Sequence, residues 1–207
     1  MTPLRTRFAA LILCAQSLRL FAGDTGAPPP VETPPAEAAV YKRAIESPTL
    51  RLVRRALKKS PHQWNENETH QLAQNLERAS RRTGIKTDAL VALILIESHF
   101  RPAVIGRNRN GTHDLGLTQQ NSRYVQIRCR REFGRACSPS ELLRPDISIR
   151  LMAQTLNRCG RAFRTTEQRV LCYNSWRRAY SFRRTGYRPA YLRKFNRTRR
   201  ALAAVAI

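Results

Sequence analysis

Eight apolar residues in a row, Ala89 to Ile96, run directly into a carboxylate, Glu97. No other stretch of the chain restricts the possible folds so tightly. Its Leu and Ala content and its length favour a helix over a buried strand, and Thr87-Asp88 supplies a start signal. On that helix Leu93 and Ile94 stand four and three positions before Glu97 and share its face. Helical side chains lean toward the N-terminus, which lays the Glu97 carboxyl on this apolar surface. A carboxyl in such surroundings loses hydration of its charged form, so its pKa rises. Known cases reach roughly 6, the condition for a general acid near neutral pH. The alternative at this point is a buried helix that happens to end in a polar cap.

The rest of the chain is organised around that helix. Residues 1–23 read as a secretory signal: Arg5 and Arg7 precede an apolar run from Phe8 to Ala15, too short to span a bilayer. Bulky Leu13 before Cys14 argues against lipidation there. Residues 24–45 form a tether, with five prolines between Gly23 and Glu37 fixing φ and removing donors. The domain is expected over 46–207. It opens with Leu50, Val53 and Leu57 at helical spacing among arginines and lysines, either a first helix with a solvated charged face or a segment lying on an anionic surface. Leu72, Leu76 and Ala79 form the next stripe, ending at Gly84. Residues 99–121 read as loop. Further starts lie at Ser138-Pro139-Ser140-Glu141, at Asp146, at Thr165 to Gln168 and at Pro189. The fold class expected is all-α, or α with minimal β.

With 207 residues and 42% hydrophobic content, the chain suffices for one packed domain plus tails. Its charge is extreme: 38 Lys+Arg against 14 Asp+Glu, a formal +24. Such a field attracts polyanions, whether nucleic acid, anionic lipid or an acidic wall polymer. Outside the signal lie four cysteines, Cys129, Cys137, Cys159 and Cys172, which fits two disulfides in an oxidising compartment. Three connectivities exist, and free buried thiols are the alternative. Cys129–Cys137 and Cys159–Cys172 are favoured because each pair straddles one turn between consecutive helices.

Three motifs follow one another: Glu97-Ser98 ending the apolar helix, Asp114-Leu115-Gly116-Leu117-Thr118-Gln119-Gln120-Asn121, and Cys172-Tyr173-Asn174. Together they resemble the soluble-type (SLT) lytic transglycosylases, whose pattern is Glu-Ser, Gly-Leu-Met-Gln and Ala-Tyr-Asn. The stretch from Asn108 to Asn121 is most similar to the small exported members that accompany secretion, conjugation and type IV pilus systems. The resemblance spans about Leu72 to Phe195 and implies a single lysozyme-like helical domain. It implies cleavage of the β-1,4 bond between N-acetylmuramic acid and N-acetylglucosamine in peptidoglycan, with a 1,6-anhydro product. Only Asp114 offers a second carboxylate near Glu97, and a one-carboxylate mechanism avoids the usual glycosidase pair.

By position in the family pattern, Glu97 is the acid. Ser98 and Gln119 would orient it or the sugar, and Gly116 and Leu117 would shape the cleft floor. Tyr173, Asn174 and Tyr191 would bind substrate. Thr118, Gln120 and Ser175-Trp176 depart from the usual Met, aliphatic and Ala-Gly residues, which leaves the cleft's shape open. No metal or other cofactor is expected. Glu97, His99, His113 and Asp114 lack a zinc-site spacing and stand among Arg101, Arg107 and Arg109, and the loop around Gly111 does not match a calcium loop. The implied partners are peptidoglycan glycan strands and an envelope-spanning secretion or pilus machine. The protein is expected to be a periplasmic or secreted monomer without a nucleic-acid partner. The alternatives are a hydrolytic lysozyme on the same fold, a basic non-enzymatic polyanion- or nucleic-acid-binding protein, and a catalytically silent wall-binding scaffold.

Overall fold

A computed structural model describes residues 46–204 of the chain. The signal at 1–23 and the whole of the tether at 24–45 lie outside the described residues. Helix α1 (Pro48–Leu57) starts where the Ser47 hydroxyl accepts from the Leu50 amide at 3.1 Å. Leu50, Val53 and Ala56 are buried in the core, so this stretch packs as a helix of the domain, the first among the described residues. Helix α2 (Glu66–Thr83) opens with a capping box between Asn65 and Glu68 and stops at Gly84, whose φ of +66° is left-handed.

Helix α3 (Thr87–Ser98) is the apolar run. Ala89 through Ile94 have no exposed surface at all, and each fully buried Leu, Ile or Val stabilises the fold by about 1.5–3 kcal/mol. The expected Thr87-Asp88 cap is not formed. Lys86 holds the N-cap position without a side-chain bond. Asp88 sits inside the first turn instead, where Arg199 donates to it at 2.7 Å. The helix ends in two consecutive left-handed residues, His99 (φ +54°) and Phe100 (φ +57°). That conformation costs a non-glycine residue roughly 1–2 kcal/mol. Phe100 is held there by complete burial, and its carbonyl accepts from Trp64 Nε1 at 3.1 Å and the Ser60 hydroxyl at 3.3 Å.

The stretch 99–121 is not all loop. It contains an antiparallel sheet of β1 (Ile105–Arg107), β2 (His113–Leu115) and β3 (Gln120–Asn121), in the order β1-β2-β3. Gly106 pairs with Asp114, and Asp114 with Asn121. Strands of two or three residues are too short to display an alternating pattern, which is why the sequence hides them.

The remaining helices are α4 (Ser122–Phe133), α5 (Pro139–Leu142), α6 (Pro145–Gly160), α7 (Thr166–Asn174), α8 (Trp176–Thr185) and α9 (Ala190–Ala203). Capping boxes at Ser138/Glu141 and Thr165/Gln168 open α5 and α7. Helices α2 and α6 pack together, and α9 lies along α3. Cys129 is bonded to Cys137 and Cys159 to Cys172, the pairs favoured from sequence. The architecture is helical with one minimal sheet. No helix among the described residues is long and apolar enough to cross a membrane.

Candidate active site

Glu97 occupies the last turn of α3, the point where the buried helix meets solvent. Ile96 and Ser98 on either side are buried and Glu97 itself is half-buried. Desolvation pushes its carboxyl up to about 7. The Tyr191 hydroxyl, on the first turn of α9, donates to Glu97 Oε1 and opposes that rise. The negative charge of Asp114 adds to it, and the positive charge of Lys194 reduces it. Burial and the Glu97 charge hold the Tyr191 phenol well above its usual value, so it remains a donor. At neutral pH Glu97 is therefore poised between acid and carboxylate, as a group that gives up and regains one proton must be.

Beside this pair lies Tyr173, at the end of α7. Its hydroxyl donates to the Thr118 carbonyl and accepts from Gln120 Nε2 at 2.7 Å. Burial pushes its pKa up, and the Glu97 charge acts in the same direction, which places the two groups within each other's field. Ser175 ends α7 in an extended conformation (φ −162°) and caps α8. The Tyr173-Asn174 pair thus stands at a break between two helices. Asn174 is exposed, and Arg178 donates to its Oδ1 at 2.8 Å.

The other expected site residues are placed differently. Ser98 is fully buried, and its hydroxyl donates to the Leu117 carbonyl at 2.6 Å. It ties α3 to the turn between β2 and β3 and makes no bond to the Glu97 carboxyl. Leu117 is equally buried and belongs to the core. Gly116 has φ +70°, and a Cβ there would meet the Leu142 carbonyl oxygen at 2.6 Å. Its missing side chain admits α5, where the sequence reading expected a saccharide. Gln119, also left-handed at φ +49°, turns its amide back on its own loop, donating to the Gly116 carbonyl at 2.9 Å and the Val104 carbonyl at 3.3 Å. Trp176 is half-exposed and packs edge-on against Phe163 at 5.0 Å.

Sequence reasoning missed the network beneath Tyr173. Gln120 is fully buried and accepts from Arg128 Nη1 at 2.6 Å, while its own amide donates to Thr118 Oγ1 at 2.9 Å and to Tyr173. Thr118, also fully buried, bonds Ser148 of α6 through its hydroxyl (2.8 Å) and its backbone amide (3.0 Å). Two polar residues where the family pattern carries Met and an aliphatic residue were the available signal, since buried polar groups are retained only with partners. Among the described residues no group of three His, Cys, Asp or Glu side chains gathers as metal ligands would.

The family model of the Transglycosylase SLT domain matches residues 74–184, just over half of the chain. That span includes Glu97, the sheet, Tyr173 and both disulfides. Among curated proteins, the chain is 31% identical over 117 residues to the invasion protein IagB of Salmonella typhimurium and to that of Salmonella typhi. The aligned region covers 56% of this chain and 69% of the relative.

Proposed function

Since the chain belongs to the SLT transglycosylase family, and is thereby a lytic transglycosylase of lysozyme-like fold acting on peptidoglycan, we propose that Glu97 performs its chemistry alone. The protonated carboxyl donates to the glycosidic oxygen between N-acetylmuramic acid and N-acetylglucosamine as that bond breaks. The resulting carboxylate then takes the proton of the muramyl 6-hydroxyl as this oxygen closes on C1. The product is a 1,6-anhydro ring, no water is consumed, and Glu97 ends protonated as it began. The substrate's acetamido group stabilises the positive sugar, as in substrate-assisted glycosidases.

One observation carries this reading: a half-buried glutamate at the end of an apolar helix, raised to about 7 and held by a tyrosine hydroxyl. Tyr191 fixes the carboxyl's direction, and Tyr173 stands beside it, braced by Gln120. Asn174 is exposed at the break after α7, where it contacts substrate. Ser98 acts from behind, tying α3 to the turn at Leu117, while Gly116 and Gln119 shape that turn. Asp114 is the specific feature that favours the hydrolytic alternative, because a second carboxylate within the field of Glu97 is what water activation needs. Its Oδ1 is engaged by the Asn121 amide at 2.8 Å, which suits an electrostatic role better than that of a base.

Export follows from the signal at 1–23 and the tether at 24–45, and two disulfides suit the periplasm or the outside of the cell. Local wall remodelling as a monomer, in the service of an envelope-spanning secretion or pilus machine, is the setting these features suit. The cationic surface then has a physical role, since wall polymers are anionic and a positive field raises encounter and retention. Incubating purified sacculi with the protein and with its Glu97→Gln variant tests the proposal. Solubilisation by the first and none by the second is expected; equal solubilisation would reject Glu97 as the acid.

A further inference from the structure

Tyr191, the partner of Glu97, also lines a cavity of about 490 Å³ walled by α8, α9 and the turn between them. Arg177, Arg178 and Ser181 line one wall, and Tyr187, Pro189 and Tyr191 the other. No carboxylate is among the lining residues. Arg177 makes no hydrogen bond or ion pair among the described residues, and Arg178 spends one donor on the neutral amide oxygen of Asn174. Two arginines thus line one concave site with most of their guanidinium donors unspent. Tyr187 is 64% exposed there, a flat amphipathic surface of the kind that covers ligands. Arg177 follows directly on Ser175-Trp176, the positions that depart from the family pattern.

We propose that this cavity is a subsite for a carboxylate carried by the glycan strand, bound by Arg177 and Arg178 while the sugar at the Tyr191 side enters the reaction. The inference rests on the reading of Glu97 as the peptidoglycan-cleaving acid and adds a substrate preference to it. The guanidinium fork matches a carboxylate in geometry and charge, and bonds of this kind are about twice as strong as neutral ones. A field of +24 attracts anions everywhere; the cavity is distinguished by concavity and by its contact with Tyr191. Two sources supply the carboxylate: the stem peptide, or the lactyl group of a muramic acid that has lost its peptide.

The test is a set of titrations in the Glu97→Gln background, so that no ligand is consumed. The probes are peptide-bearing glycan oligomers, the same oligomers stripped of peptide by an amidase, and uncharged chito-oligosaccharides. The Arg177→Gln/Arg178→Gln pair is expected to weaken a carboxylate-bearing probe at least about tenfold more than the chito-oligosaccharide. Loss confined to peptide-bearing oligomers assigns the stem, and loss on stripped oligomers assigns the lactyl group. Equal effects on all three probes overturn the proposal, as does an equal selective loss from the remote exposed pair Arg81→Gln/Arg131→Gln. Arg177→Gln alone, which breaks no bond in the fold, gives the same readout should the double variant misfold. Binding is measured without turnover, so wild type failing to cut sacculi would sink the catalytic reading and leave this result interpretable.

Discussion

The hydroxyl of Tyr191 donates to the carboxyl of Glu97 across 94 positions of chain. That bond joins the end of α3 to the start of α9, fixes the direction of the proposed acid and moderates its acidity. It favours the charged form of Glu97, against the stronger effect of burial.

Replacing Tyr191 with Phe removes a bond that lowers the Glu97 pKa, so the pKa rises above about 7. A general acid works below its pKa, and kcat/KM of the wild type therefore falls as pH rises through about 7. In the Tyr191→Phe variant that alkaline limb moves to higher pH while the maximum drops about tenfold or more, as expected when a catalytic group loses its orientation. A pH–rate profile on sacculi checks both effects. An unchanged limb would show that Tyr191 does not set the acidity.

Glu97 also makes stability depend on pH. Its folded pKa of about 7 lies above its unfolded value of 4.5, so the folded state holds the proton more tightly. The contribution is fully present below the unfolded pKa and is lost as pH rises through the folded one. Glu97→Gln abolishes this loss. The variant should gain about 2 kcal/mol relative to wild type between pH 5 and pH 8, after allowance for its partial exposure. Denaturant midpoints at the two pH values measure it.

Beneath Tyr173, Gln120 accepts from Arg128 and donates to the phenol. Gln120→Leu strips these two bonds and the one to Thr118 Oγ1 and leaves a guanidinium without its acceptor, which should cost about 1–3 kcal/mol. Arg128→Met in the same chain removes the stranded charge and should restore much of that stability. A double-mutant cycle gives the coupling directly, and additive losses would mean that the network is not a unit.

The Cys159–Cys172 bond spans 13 positions and ends on the residue before Tyr173. Closing a loop of that length restricts the unfolded chain by about 3 kcal/mol. Cys159→Ser/Cys172→Ser should lose roughly that much by chemical denaturation, and reductant should lower the wild type toward the variant.

What the sequence disclosed and what it concealed divide by range. The apolar helix, its acid and the capping boxes at Ser138 and Thr165 rest on neighbours within a turn, and such patterns survive in one dimension. Nothing near Tyr191 in the chain reports its partner 94 positions away, so its place in the site came only from the family pattern. Ser98 and Gln119, expected to orient the acid or the sugar, and Leu117, expected at the cleft floor, bond backbone carbonyls or join the core; a motif gives order along the chain and not direction. Thr87-Asp88 looked like a cap, but Arg199 from α9 claims Asp88, a tertiary contact overriding a local preference. Thr118 and Gln120 stood out as departures, yet their purpose appeared only when Arg128, Ser148 and Tyr173 were brought to them.

Mass analysis of the fragments released from sacculi bears most directly on the mechanism. If Glu97 works alone and the muramyl 6-hydroxyl closes on C1, every new muramyl end is a 1,6-anhydro ring, one water lighter than a reducing end, and Glu97→Gln releases none. New ends that are reducing sugars, formed at the wild-type rate, would show that water is the nucleophile and would contradict the account.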